Sequence, residues 1–181
     1  MDSILVVSSI FLWIFVLFNF ILTIAFAQRL NNSLGIEERL KVGQNAPDFV
    51  AEDMDGQQIT LSNFRDQVTL FIFISPHCSP CRAILPKLEG LKDSILNSNI
   101  NVALVSDGEK SDLQIIIDQA KVFESVIYDR EGNLQKKYKV SGTPFYCVID
   151  QLGKVIETDF LDQELNVFHR LLVTNGREVH L

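Results

Sequence analysis

The stretch "FISPHCSPCRAILP", Phe73 to Pro86, closes an apolar run and opens a helical pattern, with two residues between Cys78 and Cys81. Upstream, "VTLFIFI" (Val68 to Ile74) is almost wholly apolar, the pattern of a central strand covered on both faces. Downstream, Ile84, Leu85, Leu88 and Leu91 form one buried stripe of a helix, and Pro86 within it predicts a kink. A C-x-x-C at the first turn of a helix puts Cys78 where unpaired N–H groups and the positive end of the helix dipole stabilise an anion. Such motifs lower a cysteine pKa from ~8.5 to between ~3.5 and ~7.5, so Cys78 can attack a disulfide or leave as a thiolate near neutral pH. Cys81, one turn on, points inward and is the expected resolving thiol. Pro80 has no N–H to lose and suits a helix start.

Two other readings of the pair are weaker. A zinc site needs four ligands, and Cys147, His77, His169 and His180 supply no such spacing, so no metal is expected. A purely structural staple is disfavoured because the loop it closes is very small and removes little entropy from the unfolded chain. Three cysteines in all are too few for a disulfide-built scaffold, and Cys147, within the apolar run "FYCVID", reads as a small buried hydrophobe.

Moving outward, Asp55-Gly56 between two short alternating stretches signals a β-hairpin. "INVALVS" (Ile100 to Ser106) is a second buried strand, and "DGEKSD" leads into a helix rich in Ile115, Ile116 and Ile117. A short "VIYD" strand, a small helix through Leu134 and Tyr138, and a strand from Phe145 follow. "QLGK" turns at Gly153, and Leu161 to Val173 are expected as a last helix. Strands alternating with helices give an α/β layered domain.

The chain has 181 residues and a formal charge of -7, with no basic stripe, which disfavours a nucleic-acid partner. Ser3 to Gln28 carries no charged residue and is apolar around its whole circumference, with no polar face for solvent, which favours a membrane span over a buried core helix. At ~1.5 Å per residue it is ~36–39 Å long, enough to cross a hydrocarbon core of roughly 30 Å. Ala25-Phe26-Ala27 has the small-x-small form of a signal-peptide cleavage site, but the run is long and no Lys or Arg precedes it, which favours a retained anchor. Arg29, Arg39 and Lys41 after the helix point to a cytoplasmic C-terminus by the positive-inside rule. The dithiol chemistry points the other way, and both orientations stay open. The expected organisation is an anchor over 1–28, a tether over 29–43, a folded domain over 44–175 and a tail over 176–181.

Three separated motifs, "CSPC" after a central strand, "SGTPFYCVID" after a helix and "APDFVAEDMDGQQITLSNF" in front, resemble the thioredoxin-like, membrane-anchored TlpA-type family. The resemblance runs from about Val42 to Val173 and implies a central mixed β-sheet flanked by helices behind one transmembrane helix. It also implies a single-pass protein of the inner membrane with its soluble domain in the periplasm. Pro144 is then expected to be cis and to lie against the dithiol, with Thr143 bordering the sulfur of Cys78 and influencing its potential. His77 stands where thioredoxins usually have Trp, and a protonated imidazole there would favour the Cys78 thiolate; the alternative is a plain surface residue. Ile72 replaces a buried acidic or polar residue of many relatives, so proton transfer to Cys81 needs water or another group.

Within that family, "FISPHCSPC", "ALVSDGE" and "YKVSGTPFYCVID" look most like the MauD-type accessory proteins of methylamine utilization. This implies a protein disulfide substrate, the small subunit of methylamine dehydrogenase, with no cofactor in the chain itself. The rivals are a thiol reductant for cytochrome c maturation and a redox-silent membrane-tethered scaffold. A peroxidase is disfavoured because the Pro-x-x-x-Thr-x-x-Cys loop it needs has Phe71 and Ser75 at the matching positions. Oligomeric state is not legible.

Overall fold

The computed structural model describes residues 2–33, 39–108, 111–113 and 125–174. The predicted helix around Ile115 to Ile117 and the 176–181 tail lie outside them. The chain divides into two compact units, Met1–Glu37 and Glu38–Leu181.

The first unit contains helix α1 (Asp2–Ser33), in which Leu5–Gln28 is long and apolar enough to cross a membrane. Two of its polar side chains bond back to the helix itself. Asn19 Nδ2 donates to the Phe15 carbonyl at 3.0 Å and Thr23 Oγ1 to the Asn19 carbonyl at 2.8 Å, so neither demands a partner from lipid.

The second unit is one seven-stranded sheet in the order β2-β1-β5-β4-β3-β6-β7. Its strands are β1 (Val50–Asp53), β2 (Gln58–Thr60), β3 (Val68–Ile74), β4 (Ile100–Ser106), β5 (Ser125–Tyr128), β6 (Phe145–Ile149) and β7 (Val155–Phe160). β3 runs parallel to β4, and β4 to β5, while the remaining pairs are antiparallel. The sheet is therefore mixed, as expected. The hairpin at Asp55-Gly56 forms because Asp53 Oδ1 accepts from the N–H groups of Asp55 and Gln57, and Gly56 takes φ +80°.

All seven residues of β3 are buried, and alternate ones enter two different cores. Ile72 and Ile74 pack with Leu104, Tyr146 and the inner face of α2 (Ser79–Gly90), where Cys81, Ile84, Leu85 and Leu88 lie. Phe71 and Phe73 face the other way, into a cluster with Phe49, Phe64, Tyr138 and Phe145. Burial of each such aromatic ring stabilises by ~1.5–3 kcal/mol, so the two faces together hold β3 at the sheet centre. α2 continues unbroken through Pro86 to Gly90, and a short α3 (Lys92–Leu96) follows. The small helix α4 (Asn133–Lys137) is capped by Asp129, whose two carboxylate oxygens accept from the N–H groups of Leu134 and Gln135.

The last helix differs from expectation. Strand β7 extends to Phe160, and α5 spans Asn166–Thr174, so Leu161 to Leu165 are not helical. The Leu161 N–H is taken by the Pro144 carbonyl at 3.0 Å, and Leu165 sits at φ +55°, which a right-handed helix does not admit. Asp162 Oδ1 then accepts from the Asn166 N–H at 3.3 Å, starting the helix there.

Candidate active site

The C-terminal end of β3 delivers the chain to Ser75, Pro76 and His77, and the Cys78 N–H closes this turn on the Ser75 carbonyl at 3.1 Å. Cys78 is the N-cap of α2 in extended backbone, so its side chain looks back at the exposed N–H groups of the first turn. The Cys81 N–H donates to Cys78 Sγ at 3.2 Å. Pro80 lies in that first turn, where its missing N–H costs nothing. Cys78 and Cys81 are joined as a disulfide, with Cα atoms 5.2 Å apart. Cys78 is partly exposed, whereas Cys81 is wholly buried in the core that contains Ile72. An incoming sulfur therefore reaches Cys78.

The loop before β6 closes the other side. Thr143-Pro144 is cis, and the Thr143 carbonyl oxygen lies 3.3 Å from Cys78 Sγ. In the disulfide this is a contact; in the reduced pair the thiol can donate to that oxygen. Two influences thus meet at one sulfur. The helix terminus and the Cys81 N–H favour a thiolate, and the carbonyl dipole favours the protonated thiol.

His77 is on the rim, with its side chain 79% exposed and Nε2 3.7 Å from Asp112 Oδ2. Its polar contact is thus with the start of the segment after β4. Ile72 is fully buried, pairing in register with Tyr146 of β6. Phe71, at the first position of the peroxidase signature, is locked in the aromatic core.

Three features of the surroundings carry no local sequence signal. Gly108, at φ +102°, comes so close to Pro76 that a Cβ would stand 3.1 Å from Pro76 Cγ. The Phe160 ring packs on Gly142, with 3.4 Å between a Cβ built there and Phe160 Cε1. The Tyr146 hydroxyl donates to Glu157 Oε1 at 2.5 Å, and Arg170 reaches the same oxygen at 2.6 Å. Each joins residues that only the fold brings together.

Cys147 is buried in β6, and burial pushes its thiol up to about 12. It behaves as a packed apolar group and not as a third nucleophile. Among the described residues, no cluster of His, Cys, Asp and Glu has the makings of a metal site.

Residues 42–158, more than half of the chain, match the model of the AhpC/TSA family. The chain belongs to the AhpC/TSA family. Among curated members, this AhpC/TSA protein is similar to the thiol-disulfide oxidoreductase ResA of Bacillus thuringiensis subsp. konkukian. The two are 28% identical over 123 residues, which is 67% of this chain and 70% of that one. Among solved structures, the family fold recurs in a putative thiol:disulfide interchange protein DsbE from Chlorobium tepidum. That match has a TM-score of 0.65 and 24% identity, over 75% of this chain and 98% of that one. A putative protein disulfide isomerase from Bacteroides thetaiotaomicron matches with a TM-score of 0.66 and 22% identity, over 77% and 92%. These likenesses establish the thioredoxin-like fold. The Cys78–Cys81 disulfide fits a thioredoxin-like redox site, as the names of the relatives lead one to expect.

Proposed function

We propose that this thiol-disulfide oxidoreductase is anchored by α1 and exchanges disulfides with a protein outside the cytoplasm, the small subunit of methylamine dehydrogenase being its substrate. The observation that carries the redox part is the Cys78–Cys81 disulfide at the α2 N-terminus, with the attackable sulfur partly exposed and its partner buried. The narrower substrate rests on the "FISPHCSPC" and "YKVSGTPFYCVID" motifs.

In the oxidising direction, a substrate thiolate attacks Cys78 Sγ, the Cys78–Cys81 bond breaks, and Cys81 leaves as a thiolate that takes up a proton. A second substrate thiolate then attacks the first substrate sulfur and expels Cys78, whose charge is met by the Cys81 N–H and the helix terminus. The substrate loses two electrons and the Cys78–Cys81 pair gains them. Thr143 and Pro144 border the incoming chain, and His77, when protonated, adds positive charge on the rim.

A second reading, a reductant for cytochrome c maturation, is favoured by the Thr143 carbonyl: where the reduced pair carries a Cys78 thiolate, that dipole opposes its charge, raises the energy of the reduced form and makes the dithiol more reducing. The reduction potential of the full chain in detergent, equilibrated with glutathione, decides between them. A value well above about -200 mV supports disulfide formation or isomerisation in the substrate, and one near about -270 mV or lower supports the reductant. A double Cys78→Ser, Cys81→Ser variant that still matures the substrate would overturn both in favour of a redox-silent scaffold.

A further inference from the structure

Thr143, whose carbonyl touches the sulfur, lies two residues before β6, and the residues on either side of it rest on the end of β7. The Phe160 ring lies on Gly142 and meets Phe145 edge-on, centroids 5.6 Å apart with an interplanar angle of 89°. The next N–H, of Leu161, donates to the Pro144 carbonyl at 3.0 Å. Gly142 and Pro144 flank Thr143, so both shoulders of the loop rest on the β7 terminus. The ring also has a cation beside it. The Arg39 guanidinium stands 5.6 Å from its centroid and is itself paired with Asp159 Oδ1 at 2.8 Å. Phe160 is 46% exposed, so a ring at this place is not explained by core filling alone.

We propose that Phe160 is a positioning residue for the redox pair: packed on Gly142, with the Arg39 guanidinium beside it, it holds the Thr143 carbonyl against Cys78 Sγ and so sets how readily that sulfur sheds its proton. The inference rests on the reading that Cys78 is the attacking thiol. Trimming the ring leaves a gap under Gly142, the loop backs away, and the dipole that favours the protonated thiol weakens. The Cys78 thiolate then forms at lower pH.

The test is the pH dependence of Cys78 alkylation by iodoacetamide in the reduced full chain in detergent, with the modified cysteine identified by peptide mass. Phe160→Ala is expected to raise the rate on the acid side of the profile by about three- to tenfold, as a fall of about half to one pH unit in the thiol's midpoint requires. Phe160→Tyr, which keeps the ring, restores the original profile. An unmoved profile in Phe160→Ala, with only the unfolding midpoint lowered, would overturn the proposal, because a merely structural ring changes stability and not the thiol. If Phe160→Ala does not fold, Phe160→Leu is measured the same way, and an unmoved profile there overturns it equally. Failure of the underlying reading looks different: Cys78 of the unaltered chain would then show no titrating alkylation at all.

Discussion

The carbonyl oxygen of Thr143 and the sulfur of Cys78 are 3.3 Å apart, although 65 positions separate the two residues in the chain. The redox centre is thus made by two distant segments, one ending β3 and one beginning β6, and its chemistry depends on their docking.

Because Cys78 is partly exposed and Cys81 buried, the two cysteines are not interchangeable. Cys81→Ser is expected to accumulate a mixed disulfide between Cys78 and the substrate, visible by non-reducing electrophoresis and mass spectrometry. Cys78→Ser is expected to give none and to lose turnover entirely. Equal trapping by both variants would contradict the assignment.

Gly108 meets Pro76 at a distance and a φ that a side chain does not tolerate. Gly108→Ala is expected to destabilise the fold by ~1–3 kcal/mol, from backbone strain and crowding together. Denaturant unfolding checks this, and Gly90→Ala, in open space on α2, is the control that should stay within ~1 kcal/mol.

Stability should fall at high pH. Burial raises the Cys147 thiol from its ordinary 9.0 to about 12, and it raises Tyr138 and Tyr146 in the same direction. A raised folded-state value means the proton is kept in the fold and shed on unfolding. The contribution of Cys147 is therefore complete below about pH 9 and is lost as pH rises toward about 12. Cys147→Ala should decline less steeply across that window, as read by unfolding midpoints at stepped pH. An identical slope would show that the thiol plays no part.

The Tyr138 hydroxyl is buried with no hydrogen-bond partner among the described residues, while its ring packs on Phe71 and Phe73. Tyr138→Phe keeps the packing and removes the unpaired group, so it is expected to stabilise by ~1 kcal/mol. Thermal or denaturant unfolding of the variant checks the sign.

The central strands could be read from sequence because their patterns are local. Val68–Ile74 is buried throughout and Ile100–Ser106 at every position but Asn101, and both leave nearly continuous apolar runs. The cysteines were equally plain, since a strand end followed by C-x-x-C places them at a helix start. The end of β7 was hidden, because Glu157 and Asp159 give it the mixed look of an exposed edge strand and apolar residues continue past it. What stops the chain at Leu161 is a bond to Pro144, a tertiary fact. The Thr143 contact came from resemblance and not from the residues themselves. The packing of Phe160 on Gly142 had no local pattern to reveal it.

The order of strands has a consequence for assembly. β3, α2 and β4 follow one another in sequence and can come together as a local unit, but β6 must insert beside β3 from much further along the chain. Until it does, the dithiol exists without Thr143, and the Cys81 side of the sheet lacks Tyr146 and Val148. A native molecule whose β6–β7 hairpin swings open momentarily returns to that condition. Amide protons of β6 and the sulfur of Cys81 would then become accessible in the same opening, so deuterium uptake along Phe145–Ile149 gives the free energy at which the centre is taken apart and rebuilt.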